Sequence, residues 1–194
     1  MMGGIRSPLA KLRRTTAVAC ASVVLLVGSP GHATPVDGNR SKIVFTATQM
    51  DVSLEGRFAS FTADVDFDPE KPESGRVDLV ITIASVATGS AEADDLLRAK
   101  EFFDAAHFPQ ATFTSRNIAP TSTGQFQALG ELTLKGRRAP IRVPFSVRPE
   151  AGGLRLDGSV PVSRLAYRIG EGSWADPGTL ADQVQIRFSL YLPR

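Results

Sequence analysis

Cysteine and histidine are nearly absent from this sequence. The chain of 194 residues has one cysteine, Cys20, and two histidines, of which only His107 lies beyond residue 33. The rest of the chain can form no disulfide and offers no thiolate nucleophile or metal ligand. A Ser-His-Asp triad or a zinc site would depend on His107 alone, and no Gly-x-Ser-x-Gly motif is present. We therefore predict no enzymatic activity, no metal and no cofactor, with a carboxylate-based hydrolase as the enzymatic alternative.

Basic residues become scarce after the start of the chain. Four of the 22 lysines and arginines lie within the first 33 residues, which contain no acidic residue, so 18 basic and 20 acidic residues remain. A nucleic-acid-binding protein is expected to keep a basic stripe, and this part of the chain has none. We predict that the protein does not bind nucleic acid.

The sequence also lacks an apolar run long enough to span a membrane as a helix. The stretch from Thr15 to Gly28 has about 14 residues, whereas a membrane-spanning helix needs about 20. It follows the four basic residues and precedes Gly31-His32-Ala33, the pattern of a cleaved signal peptide. We expect residues 1–33 to be removed on export to the periplasm, or on secretion where the cell has no outer membrane. A retained anchor, lipidation at Cys20 and twin-arginine export fit this pattern less well.

The remaining residues are predicted to form a short lead at 34–40 and one domain at 41–194. Apolar residues alternate with polar ones in most of this domain, which is typical of strands with one buried face. We predict eight strands, at residues 42–49, 57–67, 75–84, 110–119, 124–134, 139–148, 153–163 and 182–192.

One segment, residues 91–107, has the spacing of a helix instead. Leu96, Ala99 and Phe103 share one helical face, Ser90 can cap the first turn, and Pro109 ends the segment. His107, the last residue of this predicted helix, would favour its negative C-terminal end.

The alternation alone leaves two architectures open. Eight strands with one apolar face each form either a two-sheet sandwich or a closed barrel. The faces opposite the apolar ones carry charged residues such as Arg76, Asp78 and Arg187, which argues against a barrel whose outer surface meets lipid. We therefore predict no stable insertion into a membrane.

A set of short motifs lies in a defined order along most of this domain. The motifs are Phe67-Asp68-Pro69, Thr88-Gly89, Phe102-Phe103-Asp104, Phe108-Pro109 with Ala111, Phe113 and Ser115, Gly130 with Leu132-Thr133 and Gly136, Pro140 with Val143-Pro144, and Trp174-Ala175-Asp176. Their order and spacing, over roughly residues 41–192, are more specific than any one of them, and together they resemble the YceI-like family of exported polyisoprenoid-binding proteins. The resemblance implies an all-β fold, an eight-stranded antiparallel lipocalin-like barrel with one helix inserted after the third strand.

The interior of such a barrel is either filled by side chains or holds one slender ligand. The resemblance implies the second case, with a long-chain isoprenoid lipid, a polyprenyl chain or an isoprenoid quinone, as the bound partner. Small inward residues at positions 63, 111, 128, 130 and 158 agree with a hollow interior. The predicted ligand-binding residues, mostly inward-facing on strands, are Phe45, Phe61, Val65, Phe67, Leu79, Ile81, Phe113, Phe126, Leu132, Val143, Phe145, Tyr167, Trp174 and Phe188.

Several points stay open from the sequence. A structural or adhesive barrel with a filled core is the alternative to a lipid carrier. Phe102, Phe103 and Phe108 could dock the helix or line the cavity, and Trp174 could contact a ligand or plug the core. The long connection from Tyr167 to Pro177 is a candidate lid. The oligomeric state is not determined, with a homodimer as one option.

Overall fold

The computed structural model describes residues 33–194, so the predicted signal peptide, apart from Ala33, lies outside the described residues. This part of the chain contains eleven strands, one helix and five short 3₁₀ turns. The strands are β1 (Thr34–Pro35), β2 (Lys42–Gln49), β3 (Val52–Phe58), β4 (Phe61–Asp66), β5 (Arg76–Thr82), β6 (Val86–Ala87), β7 (Gln110–Ser122), β8 (Gln125–Leu134), β9 (Arg137–Glu150), β10 (Gly153–Ser163) and β11 (Gln183–Pro193), and the helix is α1 (Ala91–Arg98). The 3₁₀ turns are Gly38–Arg40, Pro72–Ser74, Ile83–Ser85, Leu165–Tyr167 and Gly172–Trp174.

All the strands belong to one antiparallel sheet. Their order is β1-β4-β5-β7-β8-β9-β10-β11-β2-β3-β6. The sheet is curled, because β3 near one edge continues through Ala59 and Ser60 directly into β4 near the other edge. The chain itself thus joins the two edges, and the fold is the predicted antiparallel barrel with one inserted helix.

The bounds predicted for the strand at 57–67 are wrong. The structure divides this region into β3 and β4, and the residues between them bond outside the main ladder. The amide of Ala59 donates to the carbonyl of Ser85 at 3.0 Å, and the amide of Ser60 donates to Ser85 Oγ at 3.0 Å. This break, together with the two-residue strands β1 and β6, raises the strand count from the predicted eight to eleven.

The predicted helix also ends earlier than expected, at Arg98 rather than at residue 107. Ser90 caps it as predicted, with its hydroxyl accepting from the amide of Ala93 at 3.4 Å. After α1 the chain turns inward, and Phe102 is buried against the residues of the β10–β11 connection. Burial of this ring overrides the helical spacing. His107 therefore lies in an exposed turn, with Nδ1 2.8 Å from Asp104 Oδ1, and does not close the helix.

The lead predicted at 34–40 packs on the barrel. Thr34 and Pro35 pair with β4. Arg40 lies over the ring of Tyr191, 3.3 Å from its centroid, and donates to Glu150, which also accepts from Arg155 at 2.8 and 2.7 Å. These hydrogen bonds from Arg155 and Arg40 lower the pKa of Glu150 from 4.5 to about 2.

The two ends of the barrel differ. One, the plug end, is filled by Phe67, Phe126 and Phe145, whose ring centroids lie 5.1 to 5.7 Å apart. The other, the helix end, carries α1, the β2–β3 hairpin and the β10–β11 connection. Within residues 33–194, no helix is both long and apolar enough to cross a membrane.

Candidate functional site

The inside of the barrel holds a cavity of about 530 Å³. It runs between the aromatic plug and the helix end, and its wall is formed by residues of α1 and of every strand from β2 to β11 except β6. Its volume lies within the range of roughly 300–1,000 Å³ that is usual for small-molecule sites. Eleven of the fourteen predicted ligand-binding residues line it: Phe45, Val65, Phe67, Leu79, Ile81, Phe113, Leu132, Val143, Phe145, Trp174 and Phe188.

The structure corrects the expected lining at three positions, because Phe61, Phe126 and Tyr167 do not line the cavity. Phe61 is half-buried at the start of β4 and packs against the core. The ring of Phe126 lies within the plug. Tyr167 is buried among Phe102 and neighbouring apolar residues, and its hydroxyl has no hydrogen-bond partner among the described residues. Burial raises the pKa of this hydroxyl.

At two glycines that were predicted to leave open space, an aromatic ring occupies the space beside the backbone. A Cβ at Gly158 would lie 2.2 Å from Cζ of Phe188, its cross-strand partner. A Cβ at Gly130 would lie 2.5 Å from Cε2 of Phe113. These glycines let the rings lie flat against the sheet, so the open volume depends on how the rings lie as well as on residue size. Ala111 and Ala128, by contrast, line the cavity as expected.

The cavity reaches the surface at a mouth between β3 and α1. Leu54 on β3 and Leu96 on α1 line the cavity yet are 44% and 38% exposed. Sequence reasoning did not select either residue. Leu54 could have been found, because Leu54, Gly56 and Phe58 alternate in the manner of one strand face. Leu96 was assigned to the helix but not to the site.

A hydrogen-bonded link holds α1 beside this mouth. The amide and hydroxyl of Thr88 donate to Asp94 Oδ1 at 2.7 and 2.8 Å. These two bonds lower the pKa of the Asp94 carboxyl. Thr88 follows β6, which pairs with β3, so the link connects both sides of the mouth through the backbone.

The β10–β11 connection, predicted as a lid, is anchored at the helix end. Lys135 Nζ, on a side chain only 7% exposed, donates to the carbonyls of Lys100 and Arg168 at 2.8 Å and lies 3.1 Å from Glu171 Oε2. The amides of Gly170 and Glu171 donate to the carbonyl of Glu101 at 2.8 and 2.9 Å. The connection is therefore bonded to the helix region and the β8–β9 turn.

Trp174 lies between the cavity and the buried residues of the helix end, and its contact with a ligand stays a prediction. It lines the cavity, and its ring packs edge-on against Phe102 with the centroids 5.5 Å apart. Phe102 and Phe103 also line the cavity, so they form part of its wall as well as joining the helix region to the barrel. Phe108 is not part of the lining.

Among residues 33–194, Arg164 is the one charged side chain in the buried part of the wall, and sequence reasoning missed it. It is 2% exposed, and its guanidinium donates to the carbonyls of Ala181, Ile169, Gly170 and Leu180 at 3.0, 2.8, 3.1 and 2.5 Å. Burial lowers the pKa of Arg164, and the nearby charge of Asp182 partly opposes this. No sequence motif marks it, because its position depends on the folded connection.

The described residues show no arrangement that suits metal binding. Between residues 33 and 194, no group of three or more histidine, cysteine, aspartate or glutamate side chains is placed to hold an ion. That the protein binds no metal ion remains a prediction.

Comparison with known proteins agrees with this architecture. A family model described as the YceI-like domain matches residues 35–192. A UPF0312 protein of Pseudomonas fluorescens is 29% identical over 92% of this chain and 96% of its own length. A UPF0312 protein of Yersinia enterocolitica is 38% identical over 54% of this chain, and the match spans only 55% of that relative.

Solved structures share the fold. Burkholderia cenocepacia BcnA is 38% identical and superposes with a TM-score of 0.79, covering 80% of this chain and 98% of BcnA. A polyisoprenoid-binding domain from Saccharophagus degradans, implicated in plant cell wall breakdown, superposes with a TM-score of 0.67 over 84% of this chain and 99% of that domain. Its identity of 19% supports a common fold alone.

Proposed function

The chain belongs to the YceI-like family, and from this premise we propose that it is an exported binding protein that carries an isoprenoid lipid in its barrel without altering it chemically. The observation that carries the proposal is the cavity of about 530 Å³, whose wall is apolar except at the mouth and at Arg164. A polyisoprenoid-binding domain has the same fold, and the class of ligand is proposed by analogy with it.

An apolar wall favours a long hydrocarbon chain over a compact polar ligand. Burial of each carbon group contributes about 0.8 kcal/mol, so one five-carbon isoprene unit contributes about 4 kcal/mol. Association costs about 4–15 kcal/mol in lost freedom of motion. A chain of several units therefore binds on its tail alone, and both polyprenyl lipids and isoprenoid quinones meet this requirement.

The main alternative, a structural barrel with a filled core, is less well supported. A filled core would bring the inward side chains of opposite strands into contact. Here they enclose open space between the plug and the helix end. A hydrolase is also less well supported, because the polar lining residues lie at the mouth apart from Arg164.

We propose that lipid exchange proceeds through the mouth between β3 and α1. The exposed apolar side chains of Leu54 and Leu96 extend the cavity wall to the surface there. The β10–β11 connection is held by Lys135 and by the carbonyl of Glu101, so its opening would break more bonds than displacement of α1. The periplasm is the proposed location, supported by the basic and apolar composition of the first 33 residues.

A cavity-filling substitution tests this function. Ala128 on β8 is 3% exposed and lines the cavity, so Ala128→Leu places extra carbon atoms where the lipid chain would lie. Trp174, the single tryptophan, reports occupancy through its fluorescence. In titrations with geranylgeraniol we expect wild-type protein to show a saturable change and Ala128→Leu to bind at least about tenfold more weakly, a loss of about 1.4 kcal/mol.

The neighbouring residue provides a matched control. Leu129 faces outward and is 43% exposed, so Leu129→Ala should leave binding unchanged. Overpacking can cost about 1–3 kcal/mol of stability, so urea unfolding must show that Ala128→Leu is folded under assay conditions. A folded Ala128→Leu protein with wild-type affinity would show that the lipid does not occupy the cavity.

A further inference from the structure

The polar groups of the cavity wall are unevenly distributed. Five polar side chains of the lining belong to the two segments that border the mouth: Gln49, Ser53, Glu55, Thr88 and Ser90. The remaining one, Arg164, follows β10 at the helix end and is 2% exposed. A cation in this position is costly, because the rest of the buried wall is hydrocarbon.

The protein supplies an incomplete set of partners for this guanidinium. Arginine has five N–H donors, and the four hydrogen bonds of Arg164 all go to backbone carbonyls, leaving one Nη2 N–H without an acceptor among the residues that the structure describes. Arg164 is in none of the ion pairs within 4.0 Å among residues 33–194. The nearby Asp182 carboxylate accepts instead from Ser163 Oγ and from the amide of Leu165, at 2.9 and 3.0 Å.

The surrounding backbone holds the guanidinium in place. Gly170 has a φ of +75°, and a Cβ there would lie only 2.6 Å from Nη1 of Arg164. The same Cβ would lie 3.4 Å from Cβ of Trp174, which lines the cavity. Arg164 and Trp174 therefore flank one glycine at the helix end, where a ligand that reached Trp174 would also come close to the guanidinium.

We propose that Arg164 recognises the oxygen-bearing head of the lipid and that it is the specificity-determining residue of the cavity. An oxygen at the head of an isoprenoid would accept the free N–H, and an anionic oxygen would also balance the buried charge. The lipid then lies with its head at the helix end and its tail toward the Phe67, Phe126 and Phe145 plug. This inference rests on the proposed function and adds the identity of the head group's chemistry.

Three ligands with one carbon skeleton test the proposal on wild-type protein. They are geranylgeranyl phosphate, geranylgeraniol and the corresponding oxygen-free hydrocarbon, and binding is followed by Trp174 fluorescence. We expect the hydrocarbon to bind about tenfold or more weakly than the phosphate, because a hydrogen bond from a charged donor contributes about that factor. The alcohol shows whether the head-group oxygen must be anionic. If the alcohol binds as tightly as the phosphate, recognition depends on the hydrogen bond. If the alcohol binds more weakly than the phosphate, recognition depends on charge as well.

Substitutions at Arg164 separate recognition from folding. Arg164→Gln should remove most of the preference for the phosphate while the hydrocarbon affinity stays within about twofold of wild type, and Arg164→Lys should retain a preference for the phosphate. Arg142→Gln on the exposed face of β9 is the matched control and should change neither affinity. Thermal unfolding of each variant shows whether the carbonyl contacts of Arg164 are needed for the fold.

The outcomes distinguish the two proposals. Equal wild-type affinity for all three ligands would overturn the role of Arg164 and leave the lipid-carrier function standing. An equal loss for all three ligands in a folded Arg164→Gln protein would also overturn it, because the side chain would then only hold the connection. Failure of wild-type protein to bind any of the three would instead contradict the carrier function. If Arg164→Gln does not fold, the wild-type ratio and Arg164→Lys still decide the question.

Discussion

At the scale of single residues, the two tyrosines of this chain show that a buried hydroxyl need not be hydrogen-bonded. Tyr191 is 4% exposed, and its hydroxyl donates to the carbonyl of Ala151 at 2.7 Å. Tyr167 is 2% exposed, and its hydroxyl has no partner among the described residues. A buried polar group without a partner costs about 1–3 kcal/mol, whereas a formed hydrogen bond stabilises by about 1 kcal/mol.

Removal of these two hydroxyls should therefore change the free energy of unfolding in opposite directions. Tyr167→Phe is expected to raise the free energy of unfolding by about 1 kcal/mol, and Tyr191→Phe is expected to lower it by about the same amount. Urea unfolding followed by circular dichroism measures both changes. A Tyr167→Phe protein as destabilised as Tyr191→Phe would mean that the Tyr167 hydroxyl has a partner in solution.

Most cavity residues were predictable, and the exceptions have a physical cause. The side chains of a strand alternate between its two faces, so inward positions such as Leu79, Ile81 and Val143 follow from the sequence. Alternation does not show whether an inward ring lines a cavity or fills a plug, as Phe126 does. It also cannot reveal Arg164, which is brought to the wall by the folded connection between strands.

At the scale of elements, the sequence pattern predicted the positions of the long strands well, but it gave wrong bounds where the chain bends. The β2–β3 hairpin turns on Met50 and Asp51, with φ of 46° and 64°, a conformation in which glycine or asparagine is the usual signal. Without that signal, the start of β3 was missed and β3 was merged with β4. The helix was predicted too long because residues after Arg98 keep helical spacing although they turn inward.

Glu150 helps to hold the end of the N-terminal segment on the barrel, because it accepts a hydrogen bond from Arg40. Its pKa is lowered to about 2 by hydrogen bonds from Arg155 and Arg40. Because the folded-state pKa lies below the ordinary value of 4.5, this stabilisation is complete above about pH 4.5 and is lost as the pH falls through about 2. Above about pH 4.5 the carboxylate holds Arg40, which is the last residue of the 3₁₀ turn Gly38–Arg40.

Glu150→Gln should weaken this attachment near neutral pH and reduce its loss on acidification. Hydrogen exchange of the amides of Arg40 and Ser41, which donate to the carbonyls of Asp37 and Gly38, measures the effect locally. The control is Glu131→Gln, because Glu131 and Arg138 are both exposed and lie 3.8 Å apart. Equal protection of Arg40 in wild type and Glu150→Gln, both near neutral pH and at about pH 3, would show that the carboxylate does not hold the segment.

At the scale of the whole molecule, the alternation predicted an all-β fold but did not separate a barrel from a sandwich. The family resemblance made that choice, and closure depends on a feature that alternation does not encode. The chain between β3 and β4 bends at Ala59 and Ser60 and so carries one edge of the sheet to the other. The open interior likewise results from the combined packing of many rings and cannot be assigned to any one residue.

The lipid-carrier function is tested most directly by mass spectrometry of the lipid that accompanies the protein. Residues 34–194, purified without detergent after export from a bacterial host, are extracted with organic solvent and analysed for prenyl species. We expect a long-chain isoprenoid at about one molecule per protein and less of it in the Ala128→Leu variant. An extract without isoprenoid, together with no binding of added prenyl lipids, would contradict the claim that this barrel carries a lipid.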